Sequence, residues 1–503
     1  MKSILAASFL LVFGAQSSSA QLSGTYTVGG ASPDFGSLQE VADSLVSAGV
    51  GGNVSILVRP GVYTEAGGTL RVLDLRGDIP GASNAARVRF GPDVASGASS
   101  ANVILRRASG TREDGFVVQI KSSHTVIDAF TVELADTTAA VAEIPSLVYL
   151  EAVANAGVEN MIVDGLGARR AWRGILMRDV REDVFARGNR INSCVEPIYI
   201  GTGMPADRLT ISGNHMTGMS ILPENRFPEY GLYLRLDGGG VDVVVADNVL
   251  DYRGASGING IGIIGNIHNI KLRLERNQVL GLDSNYFPFQ WGHLLEVSNV
   301  TNALIANNFL SGNSSRGDGA FIGMDQYGDT LTFVHNTVRV GGGTCQALFV
   351  RRDNRFQSFV RVLDNILISE GNCAGFSNTH AVFSYTTDAE IDYNVHSTLS
   401  AVLIRDDAPG ANYLDLASWQ AAGFGEHSIV QRVEFVDDQS DLHLGECAFE
   451  DESLRGIALP LVPIDFDSEG RDPQIPFIGA DEPGGGPPDV FGAPSIFAAG
   501  KGP

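Results

Sequence analysis

The chain has 503 residues, 60 of them glycine, and a formal charge of −23 from 35 basic and 58 acidic side chains. That balance argues against nucleic acid as a partner, because phosphate binding wants a basic face. Only four lysines occur, Lys2, Lys121, Lys271 and Lys501, a bias expected of a salt-tolerant exported protein or of a GC-rich genome.

Residues 1–20 read as a signal peptide: Lys2 gives a basic start, Ile4 to Phe13 an apolar run, and Ser18 and Ala20 a small-residue cleavage site. The mature chain is expected to begin at Gln21 and to be secreted or held at the cell surface. No later stretch approaches the ~18 uninterrupted apolar residues of a membrane span, so no transmembrane segment is expected.

Residues 21–102 form an opening cap with the first coils. In SLQEVADSLVSAG, from Ser37 to Gly49, the spacing of Leu38, Val41, Ala42 and Leu45 predicts one amphipathic helix. Ser37 with Glu40 makes its capping box and Gly49 its stop. The strands NVSILVRPGVY and TLRVLDLRG follow. A helix placed here covers the open first coil, whose unpaired edge would otherwise invite aggregation.

Residues 103–396 carry a repeat. The pattern apolar-x-apolar-x-x-Asn-x-apolar recurs in VFARGNRI, LTISGNHM, VVVADNVL, LRLERNQV, ALIANNFL, LTFVHNTV, VRVLDNIL and AEIDYNVH. Its asparagines are Asn189, Asn214, Asn248, Asn277, Asn308, Asn336, Asn365 and Asn394, in steps of 25, 34, 29, 31, 28, 29 and 29 residues. A unit near 29 residues with elastic length marks a solenoid whose insertions sit in loops. Asparagine is depleted in strands and tolerates a left-handed backbone, so each reads as a tight bend between two strands. A third strand follows a variable loop, as in SLVYLE, RGILMR, EPIYIG, GLYLRL and HLLEVS. Alternation sends Leu232, Leu234 and Leu236 inward and Tyr233 and Arg235 outward. About nine such coils stack into a parallel rod about 45 Å long. The asparagines then form a ladder of side-chain amides bonded from coil to coil, and the fold class is all-β, a right-handed parallel β-helix.

This architecture resembles the pectin-lyase-like superfamily, in which an asparagine ladder fills the short turn between the second and third strands of each coil. The opening YTVGGASPDFGSLQEVADSLV…ILVRPGVYTE is similar to that of carbohydrate esterases and secreted bacterial β-helix proteins of this fold. LDLASWQ, EHSIV, DLHL, IDFDSEGR and FIGADE resemble the closing segment of such proteins. The sequence departs from pectin methylesterases: Gly61, Tyr63 and Glu65 match GxYxE, but the Gln-Asp-Thr, Asp-Phe-Ile-Phe-Gly and Leu-Gly-Arg-Pro-Trp segments are missing. Residues 397–482 are expected to form a C-terminal cap, and PGGGPP opens a flexible tail over 483–503.

Cys345 and Cys373 lie 9 and 8 positions after their ladder asparagines. They should sit one above the other, and in an exported chain a disulfide is expected there. Cys194 and Cys447 read equally as free thiols or as a pair closing the body onto its cap.

The resemblance implies that a long glycan lies along the outer face of the third-strand sheet. Outward positions there include Tyr149, Glu151, Arg178, Tyr199, Tyr233, Arg235, Glu296, Asp325 and Arg351. Tyrosine offers a sugar an apolar ring and a hydroxyl, although its strand propensity alone would also place it there. The loops ILPENRFPEYG and NYFPFQWGH, with Arg226 and Trp291, are expected to wall a cleft over a low floor at Gly262 and Gly265. Within reach are Arg226, Arg235, His293, Glu296 and Asp325. A lyase needs a cation for a uronate carboxylate and a base for the neighbouring carbon-bound proton. A glycoside hydrolase needs paired carboxylates, which Glu296 and Asp325 could supply.

The sequence expectation is therefore a polysaccharide-lyase-like protein acting on an acidic extracellular polysaccharide. The alternatives are a non-catalytic, adhesin-like surface or matrix protein and, third, a glycoside hydrolase. The catalytic candidates are Arg235, Glu296, Asp325 and His293; the binding candidates are Tyr149, Tyr199, Tyr233, Arg178, Arg226, Trp291 and Arg351. No Cys/His zinc cluster, phosphate loop or Gly-x-Ser-x-Gly elbow is present. No cofactor is named by the sequence; a Ca²⁺ site would be local and built from aspartates such as Asp237 or Asp325.

Overall fold

The computed structural model describes residues 20–482, apart from 66–70, 108–115, 136–145, 166–170, 204–206, 219–228, 239–240, 254–257, 266–268, 284–291, 314–317, 325–329, 342–345, 353–357, 371–378, 384–387 and 407–410. The strand before each asparagine, the strand after it and the third strand stack into three sheets, here A, B and C. Each has thirteen strands. At ~4.8 Å per strand a sheet is about 58 Å deep. It is longer than nine coils because the opening and closing segments add strands: Leu22–Val28 and Val50–Val58 begin sheet A, and Ala411–Tyr413 ends sheet C. Pairing is parallel throughout except at that last strand, which runs antiparallel to Val402–Asp406. The result is a right-handed parallel β-helix.

The interior is a continuous stack of like residues. Ile198, Leu232, Ile261, Leu295, Ala320 and Leu348 occupy one register column of sheet C, and all are buried. The ladder is present. Asn336 is fully buried; its Nδ2 donates to Asn365 Oδ1 (3.1 Å) and Ile305 O (2.9 Å), and its Oδ1 accepts from Asn308 Nδ2 (2.9 Å) and the Asn308 N–H (3.1 Å). The same pattern runs from Asn189 to Asn394. Met161 and Phe130 take the position in the two preceding coils, and Ser428 Oγ accepts the Asn394 N–H at the far end.

The bend itself lies one residue earlier than expected. The left-handed residue in each coil precedes the asparagine: Gly188, Gly213, Asp247, Arg276, Asn307, His335, Asp364 and Tyr393, with φ between 52° and 63°. The ladder asparagines are absent from the positive-φ residues. Asparagine recurs for its amide, which donates and accepts along the axis, and the backbone strain falls on a neighbour of variable type.

Helix α1, Leu38–Ala48, is capped by Ser37 Oγ, which accepts the Glu40 N–H at 3.1 Å, and stops at Gly49 (φ 74°). It buries Leu38, Val41, Ala42 and Leu45. Gln39 bonds both ways to the backbone of Asp74, in the edge strand Leu73–Leu75 of sheet C. That occupies edge groups which would otherwise template another chain. Tyr63 of the GxYxE segment donates to Arg59 O at 2.8 Å and lies 3.2 Å from Val28 O, so it serves to fasten the first coil.

At the other end α2, Leu416–Ala421, lowers Trp419, fully buried, onto the last coil, stacked on Phe424 at 4.5 Å. The chain does not stop there. Beyond Ile429–Val430, residues 431–482 turn back along the outer face of sheet B. Val433, Phe435, Leu442, Leu444, Phe466 and Phe477 pack on the outward side chains of Phe309, Ile366, Ile368 and Val395. Gln278 Nε2 donates to Ser440 O (3.4 Å), Asn307 Nδ2 to Ile464 O (2.7 Å), Arg471 Nη2 to Asn307 Oδ1 (2.7 Å) and the Ala480 N–H to Thr337 Oγ1 (3.1 Å). This C-terminal strap therefore crosses the coils from Gln278 to Val395.

Cys194 is a buried free thiol, raised in pKa by burial, and Cys447 is an exposed one, so these two do not pair. Cys345 and Cys373, expected to be bridged, lie outside the described residues.

Burial alone pushes the imidazole of His396 down to about 4. The folded chain then binds this proton less readily than the unfolded one, whose pKa is ~6.5. Its stabilisation is complete above ~6.5 and is lost as pH falls towards 4, by roughly 3 kcal/mol. Urea unfolding at pH 7 and pH 4 measures the effect: His396→Leu should lose less stability across that interval than the parent chain. An equal loss in both would refute it.

Candidate functional site

Sheet C carries side chains on its outer face in register columns. One column reads Gln119, Tyr149, Leu176, Tyr199, Tyr233, Gly262, Glu296, Phe321 and Phe349. The next, two residues along each strand, reads Glu151, Arg178, Gly201, Arg235, Ile264, Ser298, Gly323 and Arg351. The sequence-predicted Tyr149, Arg178, Tyr199, Tyr233, Arg235, Glu296 and Arg351 thus share one face. Arg226, Trp291 and Asp325 lie outside the described residues, as does most of both loops expected to wall a cleft.

The face is more apolar than alternation alone requires. Tyr149 is buried against Phe116, ring to ring at 4.4 Å, with Leu176 and Tyr199 alongside. Burial, first, and the neighbouring Glu151 raise its phenol. Tyr199 meets Tyr233 edge-on at 5.4 Å, and the Arg173 guanidinium sits 3.8 Å from the Tyr199 ring centre while bonding Glu196 at 2.6 Å. Further along, Phe321 meets Phe349 at 5.3 Å, with Arg351 5.5 Å from the Phe321 ring.

Between the two aromatic groups lies the centre of the site. Tyr230 stacks on Tyr233 at 4.6 Å, nearly parallel, and its phenol donates to Glu296 Oε2 at 2.5 Å. Burial, reinforced by Glu296, raises the Tyr230 phenol, so it keeps its proton and remains the donor; Tyr233 is pushed up to about 12, chiefly by burial. The contact exists because Gly262 has no side chain: a Cβ there would fall 2.4 Å from Tyr230 Cδ1. The floor expected at Gly262 is therefore occupied by a tyrosine ring. Gly265 is not a floor either, since its Cβ would meet Asn299 O at 2.3 Å.

His293, on the neighbouring column, is buried. Its backbone N–H donates to Asn259 Oδ1 at 2.8 Å, and its ring Nδ1 accepts the Asp318 backbone N–H at 3.2 Å. In the neutral ring that leaves the proton on Nε2. The Asp318 carboxyl is 3.3 Å from Nδ1, and burial, above all, raises its pKa, with Glu296 adding to the rise. Arg235 bonds Asp237 at 2.8 Å, and Lys121 bonds Glu151 at 2.5 Å. Asp237, named above for Ca²⁺, is thus engaged by a guanidinium.

Tyr230, Asp318 and Arg173 were missed because strict alternation assigns them inward. Several strands of sheet C shift their alternation at a small residue: Gly174, Gly231, Gly260 and Gly319 share one column with Pro197 and Ala347, and with the larger Leu147 and Leu294. A Cβ on Gly231 would lie 1.3 Å from Tyr252 Oη, so only glycine fits there, and the residue before it emerges on the outer face. The glycine recurring two residues ahead of the outward position, at Gly174, Gly231, Gly260 and Gly319, was the available signal.

Gly262→Ala should displace the Tyr230 ring and cost about 1–3 kcal/mol, as overpacking does. Urea unfolding reads it directly; an unchanged midpoint would mean that the ring does not rest there.

The sequence matches no protein-family model, and no curated protein is similar to it. Solved structures are similar at low identity. The alginate lyase of Paenibacillus sp. strain FPU-7 is 12% identical over 67% of this chain and 95% of its own, with a TM-score of 0.32. Pectate lyase Pel9A is 11% identical over 92% and 98%, at 0.38. The catalytic unit of the α-1,3-glucanase of Streptomyces thermodiastaticus is 12% identical over 83% and 69%, at 0.28. Similarity this low says nothing of the reaction. The stacked sheets and the asparagine ladder identify the chain as a right-handed parallel β-helix protein.

Proposed function

We propose that the chain binds an extracellular polysaccharide along the outer face of sheet C and cleaves it at Glu296, with an acidic glycan and β-elimination as the preferred substrate and reaction. The observation that carries this reading is the outer column itself, in which Tyr199 and Tyr233, with Tyr230 stacked on Tyr233, lead to a carboxylate held by the Tyr230 phenol. Aromatic faces suit sugar rings, and a carboxylate fixed by one strong donor has a defined direction for proton transfer. Arg235 and Arg351, exposed on the adjacent column on either side of Glu296, supply cations for uronate carboxylates. His293 contributes a hydrogen-bond donor through Nε2.

A second reading, a non-catalytic surface or matrix protein, is favoured by one observation: several outward charges are spent on each other, as in Arg235–Asp237, Lys121–Glu151 and Arg173–Glu196. Incubation of the chain from Gln21 with pectin, alginate, glycosaminoglycans and neutral glycans separates the two. New reducing ends with ultraviolet-absorbing unsaturated sugars are the expected result. New ends without absorbance would move the reaction to hydrolysis, and retention of a glycan without cleavage would support the second reading.

A further inference from the structure

We propose that His443, Asp467 and Asp481 hold a divalent cation of the zinc type, which staples the C-terminal strap to itself. The site stands apart from the sheet C face. Each of the three residues offers one ligand atom, and those atoms all lie within 4.8 Å of one another. They come from three separate stretches of the strap: the strand Asp441–Leu444, the loop after Asp465, and the final Ile478–Glu482 segment.

The histidine is arranged as a metal ligand would be. Its Nδ1 is bonded to Asp441, and its ring is fixed against Phe309 (4.8 Å) and Phe466 (5.6 Å). Nε2 thereby faces Asp467 Oδ2 at 2.9 Å. A carboxylate behind the imidazole orients it and raises its basicity towards a cation in front. Binding would release the Nε2 proton, and the two carboxylates would take up the cation charge.

A second observation comes from Asp465, two residues before Asp467 and with no exposed surface. Its Oδ1 accepts the Glu469 N–H at 2.8 Å, while Oδ2 has no hydrogen-bond partner among the described residues. Asp441, Asp465, Asp467, Asp481 and Glu482 are gathered here around the Arg471 guanidinium and one imidazole, with Arg276, itself bonded to Asp247, close enough to act on Asp465. So many carboxylates, several of them buried, call for more positive charge than these groups bring. An imidazole nitrogen with two carboxylates suits zinc, at ligand distances of about 2.0–2.2 Å, better than calcium, which takes six to eight oxygens.

The test is calorimetric titration of ZnCl₂, and of CaCl₂ for comparison, into the chain stripped by a chelator. One saturable equivalent of Zn²⁺ is expected, with a higher thermal midpoint and weaker or no Ca²⁺ binding. Asp467→Asn, at an exposed carboxylate, should abolish the binding while the metal-free protein still unfolds cooperatively. Asp441→Asn, behind the imidazole, where the side chain also accepts the His443 backbone N–H and can still do so as an amide, should weaken it about 10–100-fold. Absence of saturable Zn²⁺ binding, binding that survives Asp467→Asn, or equal affinity for Ca²⁺ would each overturn the assignment.

Discussion

Asn336→Leu is expected to destabilise the chain by on the order of 3–5 kcal/mol. The leucine fills the space but leaves the Asn308 N–H without its acceptor, takes one donor from Ile305 O and Val334 O, and breaks the amide contacts to Asn308 and Asn365. All of these groups are sealed from water between coils. A buried donor without a partner costs about 1–3 kcal/mol, and several are affected at once. Urea unfolding at pH 7 should show the shift with little change in cooperativity slope. A loss below about 1 kcal/mol would mean that the amides are not what holds neighbouring coils together.

Glu296→Gln should lower cleavage of the substrate found by the glycan survey by about 10²–10⁴-fold while leaving the unfolding midpoint near the parent value. The amide can still accept from the Tyr230 phenol, so the geometry survives, but the group no longer takes up a proton. Tyr230→Phe should cost less, because it removes the donor that orients the carboxylate and leaves the carboxylate itself. Steady-state rates with both variants check the order. Full activity in Glu296→Gln would remove this residue from the chemistry.

The rod was legible because one residue type must recur once per coil: an amide that both donates and accepts is the side chain that satisfies the turn above and the turn below. The left-handed bend was misplaced by one position because it falls on Gly188, Asp247, Arg276, His335 and Tyr393 among others, which share no side-chain chemistry. On sheet C, alternation read correctly from Tyr233, Arg235 and Glu296 but failed across the column of small residues at Gly174, Gly231, Gly260 and Gly319. Tyr230, the group that completes the site, therefore read as core. The strap left only an indirect trace. Ile366 and Ile368 flank the inward Leu367, so both faces of that strand are apolar, and an apolar outer face needs a cover. The cover is aperiodic chain, with Phe435, Leu442, Leu444 and Phe466 at no regular spacing, and no pattern in it announces where it docks.

The most direct test of the glycan-binding face is a crystal structure of the Glu296→Gln chain soaked with a hexasaccharide of the glycan it degrades or retains. Sugar rings are expected to run along sheet C over Tyr199, Tyr233 and Tyr230, with a linkage beside residue 296 and carboxylates facing Arg235 or Arg351. Sugar bound on another face, with sheet C bare, would contradict it.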